Sequence, residues 1–339
     1  MKLTYYPYTL QLKRRFTISI NSRLTTPAVM VEIEYDGLTG YGEASLPPYL
    51  KEEQQSVIEF LDKVDLGKYS DPLQFDSILK DIDVIEKENS AAKAAIDIAI
   101  HDLFGKMKKT PLYRLLNVEK REDLYSSYTL GISDEESLQR KIEESAEFKF
   151  LKIKLGTNDD KQIIKSIRSL TDKPLLVDIN QGWQNKHSAL DIISYLNEQN
   201  VILVEQPFLK ENLKDSEWLS ERSPLPIIAD EAVQGLDDLE KIKNIYSGVN
   251  IKLMKAGGIN KAYQMICEAK KLNLKVMIGC MTETSCAITA ASHLSPLADW
   301  IDLDGAEFIS NDLFAGMRMI DGKIVIPEDP GLGVQKLTN

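Results

Sequence analysis

Eight short apolar segments recur from about Leu124 onward, about 25 residues apart, and all but the last are followed by a stretch with helical periodicity. They are SSYTL, FLKIKL, PLLVDIN, VILVEQP, PIIADEA, VNIKLMK, KVMIGCM and WIDLD. Strands that alternate with helices at this spacing lie parallel, because each return to the same edge needs a crossover, and eight such units close a barrel. After WIDLD no helix is predicted; LFAGMRMIDGKIVIPEDPGLGV reads instead as strand, turn and strand around Asp321-Gly322. The expected fold class is therefore α/β, a modified (β/α)7β barrel.

With 339 residues the chain is longer than one core usually serves, so a second, smaller domain is expected. Residues 1–35 alternate with period two in LTYYPYTLQL, RFTISI and AVMVEIEY, and Asp36-Gly37 provides a hairpin turn. From about Glu52 the period becomes helical, ending in SAAKAAIDIAIHDLFGKM, which Ser90 is placed to cap. We expect an α+β capping domain over 1–120, the barrel over 121–310, and a tail over 311–339 that returns to the capping domain.

Composition excludes several partners. A net charge of −11 at pH 7 opposes binding to nucleic acid or anionic membrane surfaces. No run reaches the roughly 20 apolar residues of a membrane span, and the start of the chain reads as no signal peptide. The three cysteines, Cys267, Cys280 and Cys286, form no CxxC pair, which suits a reducing compartment, and the expected location is cytoplasmic. His101, His187 and His293 lie away from strand ends without zinc-ligand spacing.

Active sites of parallel barrels sit at the carboxyl ends of the strands. Ionisable residues cluster there: Lys152 and Lys154, Asp178 with Asn180, Glu205, Asp230 with Glu231, Lys252 with Lys255, then Asp302 and Asp304. Any one acid could simply cap the next helix. Acids ending three successive strands are another matter, since they repel one another unless a cation neutralises them, and oxygen ligands select Mg²⁺ or Mn²⁺. Strand alternation sends Lys152 and Lys154 to one face, and Lys252 on the sixth strand lies almost across the barrel. A base can then approach each face of a bound substrate. Lys255 is expected in the following loop as a supporting group.

KIK, DIN, VEQP, ADEA and NIKLMKAGG, in this order, together with YGEASLPP, resemble the enolase superfamily and its muconate-lactonizing subgroup. The resemblance implies one Mg²⁺ per subunit held by Asp178, Glu205 and Asp230, with Lys154 and Lys252 as the acid/base pair and Lys152 near the substrate carboxylate. It implies removal of a proton α to a carboxylate through an enediolate, and the family often forms homo-oligomers. The D-x-D at Asp302 and Asp304 resembles that of dipeptide epimerases, where it holds the free ammonium of the substrate. Loops at 20–26 and 45–50 resemble the family's lid, in which Arg23 would meet an acidic side chain, as in Ala-Glu epimerases of cell-wall peptide metabolism. Thr129 and Glu283 resemble residues near the substrate. A hydrophobic second residue, a succinylbenzoate synthase or muconate cycloisomerase reaction on the same scaffold, a Schiff-base aldolase and a non-catalytic binding barrel stay open at this stage.

Overall fold

The computed structural model describes residues 1–18, 21–69, 74–131 and 135–338. At the amino-terminal end β1 (Lys2–Ile18), β2 (Asn21–Tyr35) and β3 (Leu38–Ser45) form an antiparallel sheet in that order. The two segments read separately as LTYYPYTLQL and RFTISI belong to one strand, β1, whose register against β2 shifts between Gln11 and Phe16. That irregularity spans the charged run Lys13-Arg14-Arg15, and a bulge there bends the strand without ending it. Asp36 and Gly37 turn β2 into β3 with φ of 49° and 75°, as the hairpin signal predicts.

Helices α1 (Gln54–Leu61), α2 (Phe75–Asp83), α3 (Ser90–Met107) and α4 (Leu112–Leu115) follow. Almost every residue of α3 is buried, for it packs both on β2 and β3 and on helices of the barrel. Alanines make that close approach possible, and so do Gly40 and Gly42, where any Cβ would collide with the carbonyl oxygens of Ala99 and Ala95. Ser90 does not cap α3. The carboxylate of Glu52 receives the N–H groups of Ala91 (3.0 Å) and Ala92 (3.3 Å), and the Ser90 hydroxyl donates to it as well. A side chain distant in sequence thus supplies the cap, which local spacing does not reveal.

The barrel sheet contains β4 (Ser127–Leu130), β5 (Phe150–Lys154), β6 (Leu175–Asp178), β7 (Val201–Glu205), β8 (Ile227–Ala229), β9 (Gly248–Ile251), β10 (Lys275–Gly279) and β11 (Trp300–Asp302), in sequential order with parallel pairing. Each expected segment supplies one strand. Between them run α5 (Glu135–Glu144), α6 (Asp160–Arg168), α7 (Lys186–Glu198), α8 (Leu213–Ser220), α9 (Leu236–Ile242), α10 (Leu253–Ala256) with α11 (Ile259–Lys271), and α12 (Ser285–Ser292). A short 3-10 turn, Gly305–Phe308, follows β11 in place of a helix. Side chains close the seam between β11 and β4: Ser127 Oγ donates to Asp302 (2.7 Å), the Thr129 N–H to Asp304 (2.5 Å), and the Leu303 N–H to Ser126 Oγ (2.9 Å).

The tail forms β12 (Phe314–Ala315), β13 (Arg318–Ile320), β14 (Lys323–Val325) and β15 (Gln335–Lys336), with a β13–β14 hairpin turning at Asp321-Gly322. Its contacts divide. The hairpin leans on the barrel, where the Ile324 N–H donates to Leu124 (2.9 Å), while the Leu332 N–H donates to Asp102 of α3 (2.9 Å) and Lys336 pairs with Glu32 of β2 (2.5 Å). The histidines serve structure. His293 receives the Tyr113 N–H (3.2 Å) and meets the Leu332 carbonyl (3.0 Å), and burial pushes its pKa down to about 4, so it stays neutral. His101 contacts the Asp97 carbonyl, and His187 packs edge-on against Trp218.

Because the β3–α3 contact is backbone against backbone, Gly42→Ala should lower the stability of the folded chain by roughly 1–3 kcal/mol, read from the midpoint of urea unfolding. An unchanged midpoint would remove this packing argument.

Candidate active site

Along each barrel strand, side chains alternate between the interior and the surrounding helices. The first interior layer is apolar: Leu176, Leu203, Ile228 and Met277 cluster there, with Phe150 and Trp300 against them. Two residues further along the same strands, the interior positions become Lys152, Asp178, Glu205, Asp230, Gly279 and Asp302. An apolar plug therefore floors the barrel, and the next layer is almost wholly ionisable.

Asp178, Glu205 and Asp230 each bring a carboxylate oxygen within 4.8 Å of the others, and all three are buried. Lysines surround them. Lys154 Nζ lies 2.7 Å from Asp178, Lys252 Nζ 2.6 Å from Asp230, and Lys255 Nζ 2.5 Å from the other oxygen of Asp230. Lys152 Nζ stands 2.7 Å from both Glu205 Oε2 and Asp302, and 3.3 Å from Asp178. Burial alone would raise every one of these carboxyl groups, and the balance with neighbours decides each outcome. Lys154 and Lys152 outweigh it at Asp178, which falls below the usual range, and Lys252 and Lys255 take Asp230 well below. At Glu205, burial and the charge of Asp178 win, pushing it up to about 7. Burial likewise opposes the charged form of Lys152 and Lys252. Asp302 overrides it for the first and Asp230 for the second, so both ammonium groups end well above their ordinary value.

The chemistry of the donors fits a hard divalent cation such as Mg²⁺: the triad offers oxygen only, with no thiol or imidazole. Buried oxygens without a hydrogen-bond donor point to the same conclusion: Glu205 Oε2 in the triad itself, and Asn180 Oδ1 and Glu231 Oε2 beside it. Glu205 Oε2 is close to Lys152 but outside hydrogen-bonding geometry. Asn180 and Glu231 line the cavity next to Asp230, and burial with the Asp230 charge brings Glu231 to about 7.

Lys154 on β5 and Lys252 at the end of β9 line one cavity. Strands β6, β7 and β8 separate β5 from β9 in one direction, and β10, β11 and β4 in the other. The two amines thus face each other across the barrel. Lys255 is not in a loop but on α10, where it also donates to the Asp230 carbonyl (2.6 Å) and so holds that carboxylate in place. Asp302 and Asp304 both line the cavity but differ in what they already bind. Lys152 and Ser127 engage the two oxygens of Asp302. Asp304, among the described residues, has no cation within ion-pairing distance; it accepts from Thr129, and burial with the nearby Asp302 charge pushes it up to about 7.

Arg23, expected in a lid loop, lies instead in strand β2. It is buried over the Phe16 ring (5.3 Å), donates to Thr26 and Thr282 (3.1 Å each), and leaves Nη1 without a partner where it lines the cavity. Of the expected lid loops, Ile20 lies outside the described residues. Tyr49, in the 45–50 loop, reaches the cavity and donates to Met281 Sδ (2.8 Å). Glu283 does not line the cavity. It receives the Met281 N–H (3.1 Å), shaping the loop after β10, and burial brings it to about 7. Sequence reasoning passed over Asn250, Ser127 and Tyr49. Asn250 was detectable, since it precedes Lys252 by two residues on the same strand face.

Fold and site together define a barrel whose mouth holds a carboxylate triad suited to a divalent cation, with a lysine on either side of it. Residues 135–336 match the enolase C-terminal domain-like family, and residues 4–117 match the mandelate racemase/muconate lactonizing enzyme N-terminal domain. The chain belongs to this family, the enolase superfamily. It is 48% identical over 338 residues to the L-Ala-D/L-Glu epimerase of Bacteroides thetaiotaomicron, covering 99% of this chain and 88% of that one. A substrate-liganded complex of the L-Ala-D/L-Glu epimerase from Bacillus subtilis superposes with a TM-score of 0.90 at 29% identity, covering 98% of each chain. The dipeptide epimerase of Enterococcus faecalis, complexed with Mg and the dipeptide L-Leu-L-Tyr, superposes with a TM-score of 0.91 at 31% identity and the same coverage.

The triad generates a direct expectation. Mg²⁺ at a hundredfold excess over its Kd should stabilise metal-stripped protein by about 2.7 kcal/mol, visible as a rise in Tm that EDTA reverses. Equal Tm values with Mg²⁺ and with EDTA would argue against the site.

Proposed function

We propose that the chain is a Mg²⁺-dependent dipeptide epimerase that inverts the α-carbon of the C-terminal residue of L-Ala-Xaa dipeptides, with Xaa acidic. The observation that carries the reaction is the placement of Lys154 and Lys252 on opposite walls of one cavity, with the carboxylate triad between them. Held by Asp178, Glu205 and Asp230, the ion would supply positive charge against the substrate carboxylate as its second negative charge develops, and would compete with Lys252 for Asp230. The remaining steps fall to the chain's own side chains. One amine, neutral at the start, takes the α-proton, and the opposed ammonium returns a proton to the other face, so the configuration inverts. The reverse reaction exchanges their roles. Lys152 contributes a fixed charge beside the substrate carboxylate, oriented by Asp302 and Glu205.

The substrate ammonium is assigned chiefly to Asp304. A buried carboxylate without a cationic partner gains most from a bound ammonium, whereas Asp302 already neutralises Lys152. Muconate and succinylbenzoate carry no ammonium, so they would leave Asp304 unpaired, and this favours the epimerase over those reactions. Arg23 favours an acidic Xaa for the corresponding reason, as its buried Nη1 lacks an acceptor. Phe16, Met281 and Phe308 line the same cavity and supply a hydrophobic alternative for the side chain. Arg23 and Tyr49 bring the capping domain to the edge of the same cavity. We further propose the division at 120, with family matches over 4–117 and 135–336 in its support, a division at 310, after the last barrel strand and its 3-10 turn, and a role in the cytoplasm in the metabolism of cell-wall peptides, consistent with three free thiols and no membrane-crossing helix among the described residues.

With Mg²⁺ in D₂O, L-Ala-L-Glu should exchange the α-proton of its glutamate and epimerise, as followed by ¹H NMR. Lys154→Ala and Lys252→Ala should each abolish inversion while leaving exchange from one epimer. Absence of exchange across a dipeptide library, or full epimerisation by either variant, would sink the two-base reading. Arg23→Met should lower kcat/KM for Ala-Glu by roughly 10- to 100-fold and spare Ala-Leu. Equal losses for both dipeptides would detach Arg23 from specificity.

A further inference from the structure

We infer that Asn250, with room made for it by Gly279, is a positioning residue that fixes Glu205 in the orientation a cation requires; the inference rests on reading the triad as a metal site. Asn250 is fully buried on β9, on the interior face that also carries Lys252. Its Nδ2 donates to Glu205 Oε1 at 2.7 Å, reaching from β9 to β7 past the intervening β8. No other hydrogen bond to the Glu205 carboxylate is formed by the described residues, and Oε2 stays without one. The two oxygens are therefore differentiated: Oε1 is held by a neutral amide, while Oε2 has no hydrogen bond and meets only the Lys152 ammonium at 2.7 Å, which makes it the oxygen a cation can take over. Removing the amide would leave the Lys152 ion pair, 2.7 Å from Oε2, as the remaining contact on the carboxylate, free to swing Glu205 out of the orientation a cation requires.

Gly279 on β10 is the second half of the arrangement. Its φ is not positive, so the backbone has no need of glycine there. Space does require it. A Cβ at position 279 would stand 2.8 Å from Asn250 Nδ2 and 3.0 Å from Cγ, and would collide with Oδ1. The asparagine amide lies against bare backbone, and any side chain on Gly279 would push it off Glu205. Groups that orient metal ligands typically contribute 10- to 100-fold to affinity, more than a remote packing residue does.

The test is direct Mn²⁺ binding, measured by the EPR signal of the free ion, on purified full-length wild type, Asn250→Ala, Gly279→Ala and the double variant, each with its Tm. We expect Asn250→Ala and Gly279→Ala each to weaken binding roughly 10- to 100-fold. The double variant should lie within about twofold of Asn250→Ala, because glycine matters at 279 only while asparagine is present. Wild-type affinity in a folded Asn250→Ala, or losses that simply add in the double variant, would overturn the inference while leaving the metal reading intact. Absence of Mn²⁺ binding by the wild type would instead overturn the metal reading itself. A merely structural role would lower Tm without moving the affinity, and it too counts against the inference. Should Asn250→Ala fail to fold, Gly279→Ala decides alone, since it leaves the amide in place and displaces it.

Discussion

Mutual repulsion among Asp178, Glu205 and Asp230, buried with carboxylate oxygens within 4.8 Å of one another, is the interaction around which the barrel interior is organised. In a low-dielectric interior such a cluster is tolerated only if positive charge is brought to it. Lys152, Lys154, Lys252 and Lys255 all turn inward to do so, and each pairs with a triad member. Under the proposed reaction, Lys154 and Lys252 among these same charges would be the groups that carry the proton. Structure and chemistry thus draw on one set of ion pairs.

The neighbouring shell follows from the same constraint. Lys152 is held between Glu205 and Asp302, and Asp302 in turn accepts from Ser127, a contact that stitches β11 to β4. Closure of the barrel and orientation of the buried Lys152 ammonium are therefore not separable at this seam. Asp304 accepts from Thr129 at the same seam but, among the described residues, has no cation within ion-pairing distance. Above the mouth the capping domain is fixed through α3, with Asp97 receiving the Ile259 N–H of α11 and Asp102 receiving the Tyr41 and Leu332 N–H groups. These buried contacts set the height at which Arg23 and Tyr49 overhang the cavity.

Sequence periodicity and strand-end chemistry determined much of this protein. Each of the expected barrel strands formed, the hairpins at Asp36-Gly37 and Asp321-Gly322 turned where their residues dictate, and the triad acids came together. The strands and turns depend on interactions over two to four residues, and alternation along each strand, together with the sequential parallel order, suffices to say which side chains share the barrel interior. Only the tertiary structure decided that Glu52 rather than Ser90 caps α3, that Lys255 rides on a helix against Asp230, that Arg23 is buried with an idle nitrogen, and that Asp302 is already engaged while Asp304 is not. It also revealed Asn250 reaching Glu205 over the space left by Gly279. The physical reason is common to all of them: a buried charge or amide is satisfied by whichever partner the closed barrel brings near, and that partner lies tens to hundreds of residues away, beyond any local pattern.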